Sequence, residues 1–242
     1  EPLYDFERII DDRLEQGIQF LHNGNKFKAD FWINWREAIS FGDTDQEEIE
    51  GAWHLRYLLS PTAKLKSEVI LQSTVLHRGG QINTTSLPVY TTQNHAIGFK
   101  LSSDWGDAGF LRGFSLENYA LLFSVDSDSL AFGSGNGLYL NATAHTKWGN
   151  LMASYWKGSE FINPLGGDLY SSESRIGNPA QANRQLIIFR WMKDFQLSPN
   201  CHLSARFEPF YDLENNLFEY SFGLYANYVL DIQVNCKKNS RN

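Results

Sequence analysis

The run His77-Arg78-Gly79-Gly80-Gln81 is the most distinctive short stretch of chemistry-bearing residues in the chain. Histidine is the side chain most often used in general acid–base catalysis, so His77 is a candidate general base for lipid or sugar chemistry. A structural use is equally concrete: Arg78 and Gln81 can pin a folded loop while Gly79 and Gly80 admit unusual backbone angles. No serine in a nucleophile-elbow context accompanies His77, and no His-x-Ser pair lies beside a well-placed carboxylate. No residue is therefore assigned a catalytic role, and no metal ligand set or cofactor is expected.

A second, larger group of ionisable residues recurs at alternate positions: Lys28, Asp30, Arg36, His54, Arg56, Lys64, Lys66, Glu68, His145, Lys147, Arg206 and Glu208. Their signs are mixed. Opposite charges on neighbouring strands can pair and hold a wall together. The same residues could instead line a pore that sorts solutes by size and sign.

Alternation identifies the elements that carry these groups. In 26–36, Phe27, Ala29, Phe31, Ile33 and Trp35 oppose Lys28, Asp30, Trp32, Asn34 and Arg36, a period of two that marks a strand between unlike environments. The pattern returns at 52–59, 138–147, 202–208 and 217–232. Segment 63–76 follows it with Ile70 interrupting the polar face, and 184–195 is apolar on both faces, so its sidedness is open. With 15–22, 94–103, 109–124 and 149–158 the template count is about eleven strands.

The connections alternate too. Tight turns at Asn23-Gly24-Asn25, Ser60-Pro61-Thr62, Asp104–Asp107, Trp148-Gly149-Asn150 and Leu197–Asn200 are built from turn-forming residues. Between them fall longer loops at Phe41–Glu48, Gly79–Gln93, Asp126–Gly135 and Ser159–Asn183, and a short one at Leu213–Asn216. This asymmetry belongs to outer-membrane barrels, whereas Greek-key sandwiches mix loop lengths at both ends. The expectation is an all-β, up-and-down antiparallel transmembrane β-barrel of about 11–12 strands forming one domain over residues 1–242. Residues 1–14 read as an extension or poor strand, and 233–242 as a polar tail. An odd strand count puts the ends on opposite sides, so either Tyr4–Ile10 adds a strand or the chain is the C-terminal part of a larger barrel. A soluble β-barrel binding protein is the alternative fold reading.

Several words of the sequence carry a resemblance. FKADFWINW at Phe27–Trp35, LHRGGQI at Leu76–Ile82, GNGLYLNA at Gly135–Ala142 and YWKGSEFINPLGGDLY at Tyr155–Tyr170 resemble a largely uncharacterised family of Bacteroidota outer-membrane β-barrel proteins. The resemblance implies a barrel and an outer-membrane location and supplies no activity.

The net charge of −7 and the lack of a basic stripe exclude nucleic acid as the partner. Outer-membrane lipid is the expected partner, with other outer-membrane or periplasmic proteins as a further option. Acidic loop residues such as Asp43, Asp45, Asp126, Asp128, Glu160 and Asp168 read as loop solvation ahead of a calcium site. The longest loop, Ser159–Asn183, holds Phe161, Ile162 and Leu165 and can constrict the barrel, cap it or contact a partner. Cys201 should face a residue near Tyr228, so a bridge to Cys236 would require the tail to fold back. The leading functional expectation is a passive, porin-like channel or a structural component of an outer-membrane complex. The alternative is a lipid- or glycan-modifying enzyme that uses His77.

Overall fold

The computed structural model describes residues 2–4, 17–40, 45–60, 65–80, 87–172 and 180–228. Within them lie eleven strands: β1 (Gly17–Asn23), β2 (Phe27–Glu37), β3 (Glu48–Leu58), β4 (Leu65–Arg78), β5 (Tyr90–Asp104), β6 (Leu111–Val125), β7 (Ser134–Thr146), β8 (Gly149–Ser159), β9 (Asn183–Ser198), β10 (Cys201–Asp212) and β11 (Leu217–Tyr228). They pair in sequence order into one antiparallel, up-and-down sheet. Among the described residues the sheet does not close, since β1 and β11 each pair on one side only. The suggested strand over Tyr4–Ile10, Cys236 and the 233–242 tail fall outside the described residues from position 5 and from position 229. Cys201 faces Tyr228 in the ladder.

Sidedness follows the alternation, with the apolar face turned outward. On β2, Phe31, Ile33 and Trp35 are 42%, 51% and 42% exposed, while Asn34 on the other face is 3% exposed. A water-soluble domain places these groups the other way round. Ile70, the residue that interrupts the polar face of β4, points inward and is 1% exposed.

The loop-ward half of the interior is filled. The chain leaving β8 turns inward, and Phe161, Ile162 and Tyr170 pack against Ala96, Leu121, Phe123, Tyr139, Trp156, Leu186 and Ile188 of β5–β9, with Leu3 joining them. Trp156 lies at the centre, with edge-on rings of Phe161 at 5.2 Å and Tyr170 at 5.5 Å, the geometry that aromatic quadrupoles prefer. Gly137 is required beside it, because a Cβ there would overlap the Trp156 ring. Polar anchors fix the insertion: Asn94 Nδ2 donates to the Ile162 carbonyl at 2.7 Å. Asn163 Nδ2 donates to the carbonyls of Pro2 and Leu3.

That filling explains β9. Leu186 and Ile188 face the inserted loop, whereas Ile187 and Phe189 face outward at 38% and 57% exposure. A strand between an apolar plug and an apolar exterior is hydrophobic on both faces, as fully covered strands are.

Candidate functional site

The inward charges are paired. Arg36 Nη1 meets Glu48 Oε2 at 2.9 Å, and Arg78 Nε meets Glu48 Oε1 at 2.6 Å. Trp32 Nε1 donates to Glu50 at 3.0 Å. Across β3 and β4, Arg56 Nη2 lies 2.6 Å from Glu68, and Lys100 lies 2.5 Å from Glu117 across β5 and β6. Arg190 and Arg206 converge on Glu208. Glu50, Arg190 and Glu208 are buried and need such partners, because an unpaired buried charge costs several kcal/mol.

The remaining members of the expected luminal set are placed as follows. Asp30 accepts from Gln19 Nε2 at 3.0 Å, and His54 borders an inner cavity of about 720 Å³. Lys28 and Lys66 are exposed, near the turn-ward ends of β2 and β4, and Lys64 lies outside the described residues. His145 is held between Ser115 and Asn150. Lys147 lies in the turn after β7, with Nζ 5.9 Å from the Phe110 ring centroid and 6.0 Å from that of Trp148, so it belongs to the rim and not to the luminal wall.

The run from His77 to Gln81 divides between the two faces of the wall. Arg78 turns inward, where its Nη1 donates to the Tyr90 hydroxyl at 2.9 Å. Gly79 takes φ +115 against Val89, a conformation that suits glycine. Its N–H donates to the Glu47 carbonyl at 2.9 Å, and Gly80 packs against the Glu47 side chain. Gln81 lies outside the described residues. His77, by parity, turns outward.

On that outer face His77 has company. Thr91 is its register partner on β5, and four pairs further from the rim Ser73 is paired with His95. His77 Nδ1 lies 3.0 Å from Thr91 Oγ1, and His95 Nδ1 lies 2.9 Å from Ser73 Oγ. The Thr91 backbone N–H donates to Asp126 Oδ1 at 2.6 Å. That backbone hydrogen bond holds the exposed Asp126 carboxyl below the usual carboxylate range. A hydroxyl that accepts Nδ1–H leaves Nε2 as the proton-accepting nitrogen of the ring. Ser73 is only 3% exposed, so the accessible member of its pair is the exposed His95 imidazole. A surface cavity of about 470 Å³ adjoins it, bordered by Leu122, Ser124, Ser134, Asn136 and Glu160.

An imidazole so placed, at the edge of an apolar wall with hydroxyl and amide groups around it, is able to act chemically as a general base. His77 and His95 are not one site. His95 lies four positions along β5 from Thr91, about 13 Å at roughly 3.3 Å per residue, so the two rings cannot serve the same reacting atom. Ser73, Thr91, His95 and Asp126 were not among the expected site residues. Thr91 belonged to a predicted loop and His95 to a segment whose faces were unassigned. The signal that reveals them is the β4–β5 pairing, which sets hydroxyl against imidazole twice.

A match to the family described as Lipid A 3'-O-deacylase-type runs over residues 1–237. The chain belongs to that family. No curated protein and no solved structure matches it.

Membership overturns the leading functional expectation. A Lipid A 3'-O-deacylase-type family is one of enzymes that modify lipid A, and it favours the alternative reading over a passive channel or a structural component. The interior agrees with the correction: the inserted loop fills its loop-ward half, and Arg36, Arg56, Arg78, Lys100, Arg190 and Arg206 are each paired with a glutamate. The expected resemblance carried no activity; the family supplies one, with an outer-membrane lipid as its substrate.

Proposed function

We propose that this member of the Lipid A 3'-O-deacylase-type family is an outer-membrane hydrolase that removes an ester-linked acyl chain from lipid A lying against the outer wall, with His95 as general base. The observation that carries the reading is a solvent-open imidazole on the outward face near the loop-ward rim, tied through Nδ1 to a buried serine. Lipid headgroups and their ester bonds lie at the rim of an apolar band, and polar machinery for them belongs there.

In this scheme His95 Nε2 takes a proton from water as the water oxygen attacks the ester carbonyl carbon. The tetrahedral oxyanion collapses, the sugar oxygen leaves, and the imidazolium returns the proton to it. A free fatty acid and a sugar hydroxyl result. Ser73 holds the ring in the reactive tautomer, as the third group of a catalytic triad does. His77, about 13 Å away along the sheet, contacts another part of the same lipid.

The test is the full chain folded in detergent and mixed with lipid A vesicles, with products read by mass spectrometry. The wild type should release one acyl chain and leave a lighter lipid A. His95→Ala should slow release about 10²- to 10⁴-fold, the usual contribution of a positioned general base, and keep the heat-modifiable gel mobility of the folded barrel. Unchanged release from that variant would remove His95 from the role.

A further inference from the structure

The wall holds a second base on its other face, at the other end. His145 on β7 lies between two side chains of neighbouring strands: Nδ1 is 2.9 Å from Asn150 Oδ1 on β8, and Nε2 is 3.3 Å from Ser115 Oγ on β6. The Asn150 oxygen accepts and cannot donate, so Nδ1 carries the ring proton. Nε2 then holds the lone pair, and the Ser115 hydroxyl must be the donor to it. Nucleophile, base and orienting group stand in the order that activates serine hydroxyls on unrelated folds. In the outward pair the hydroxyl instead meets Nδ1, so that reaction centres on the imidazole.

Ser115 also has a space to act into. It borders the inner cavity of about 720 Å³ together with Tyr119, Asn141, Thr143, Met152 and Arg190. Arg190, 4% exposed, is a further polar group of that lining, its guanidinium held by Glu208. The position is remote from His95. Ser115 pairs with Ser102, seven positions along β5 from His95 and about 23 Å at roughly 3.3 Å per residue. It also faces inward while His95 faces out.

We infer that Ser115, His145 and Asn150 form a second, luminal nucleophile site that hydrolyses small carboxylic esters entering from the turn side. Ser115 Oγ attacks the ester carbonyl carbon and passes its proton to His145 Nε2. The alcohol leaves with that proton, and an acyl-serine remains. Water then attacks the acyl carbon, again through His145, releasing the acid and restoring the serine hydroxyl. The site is independent of lipid A deacylation and stands or falls separately from it.

A fluorophosphonate probe tests it on the folded full chain in detergent, with the adduct mapped by peptide mass spectrometry. The expected adduct is on Ser115, absent from Ser115→Ala and slowed about 100-fold or more in His145→Gln, the range for loss of a general base. Asn150→Asp, which preserves an acceptor for Nδ1–H, should label at least as fast as wild type, whereas Asn150→Leu should label slowly. A role confined to bracing the wall predicts none of this order among variants that all keep folded-barrel mobility. His95→Ala should lose acyl release from lipid A and still take the Ser115 adduct, which separates the two sites. Absence of a Ser115 adduct on the folded chain, or equal labelling of the heat-unfolded chain, overturns the inference.

Discussion

The two faces of the wall near the loop-ward rim are opposites of what each face holds elsewhere. Inside, where the strands otherwise carry paired charges, Phe161, Ile162 and Tyr170 bury themselves around Trp156. Outside, on the face that carries the exposed apolar side chains, His77, Thr91, Ser73 and His95 make two hydroxyl–imidazole pairs. Each exception costs something locally. Apolar groups in the lumen required a loop to cover them, and polar groups in the apolar band required partners for one another. The luminal exception improves the packing of the barrel. The outward exception sets polar side chains on the apolar face, and departures of that kind concentrate at functional sites.

The comparison can be broken from either side, and the luminal side gives the largest effect on the fold. Trp156→Ala removes a fully buried indole from a cluster of edge-on rings. The cost should be about 3–5 kcal/mol, the range for a large aromatic deleted from a packed site. Urea titration of the folded barrel in detergent would read it as a lowered midpoint. Release of acyl chains, measured on the fraction that remains folded, should stay within about threefold of wild type by the same division of roles. A large loss of turnover with no loss of stability would show the plug to be part of the reaction site, and the contrast between the faces would fail.

Ser73→Ala probes the outward side with a smaller effect. The serine lies beneath His95 and fixes its ring, so its loss should slow acyl release about 10-fold, equivalent to about 1.4 kcal/mol. The urea midpoint should barely move, since one neutral hydrogen bond contributes on the order of 1 kcal/mol. A rescue separates positioning from nucleophilic attack: Ser73→Thr should restore most of the rate. If Ser73→Ala instead abolished turnover while His95→Ala retained it, Ser73 would be the nucleophile and the roles would need to be exchanged.

These two residues also mark what the sequence could express. The alternation at Phe27–Trp35 is local, and it predicted the faces of β2 because each residue meets one environment. The β9 segment was illegible for the opposite reason. The environment that Leu186 and Ile188 meet is made by Phe161 and Ile162 from a preceding loop, and no window around β9 contains them. His95 was hidden in the same way. Its partner Ser73 is 22 positions earlier, and its face depends on where β5 begins. His77 was visible as a motif, yet only the pairing of β4 with β5 shows that it and Arg78 serve opposite sides. The paired charges of the lumen were legible as residues but not as pairs, and that ambiguity supported a channel until the family match decided otherwise.

The smallest expected effect lies at the rim above the outward site. Asp126 accepts the Thr91 N–H, and this bond depresses the carboxyl's proton affinity. A group whose folded value is depressed stabilises its partner above the ordinary carboxylate range and loses that contribution as pH falls through the depressed value. The Thr91 amide should therefore be protected at neutral pH and exchange faster with deuterium in acid. The Asn94 side chain, anchored to the Ile162 carbonyl inside the wall, has no carboxylate to protonate and marks a luminal contact with no comparable dependence. Because Asp126 is fully exposed, salt should weaken the effect. Asp126→Asn should abolish the pH dependence and leave the luminal cluster untouched. Equal acid sensitivity of the wild type and Asp126→Asn would show that the Thr91 backbone is held by the ladder alone, and that the rim carboxylate contributes nothing to placing His77.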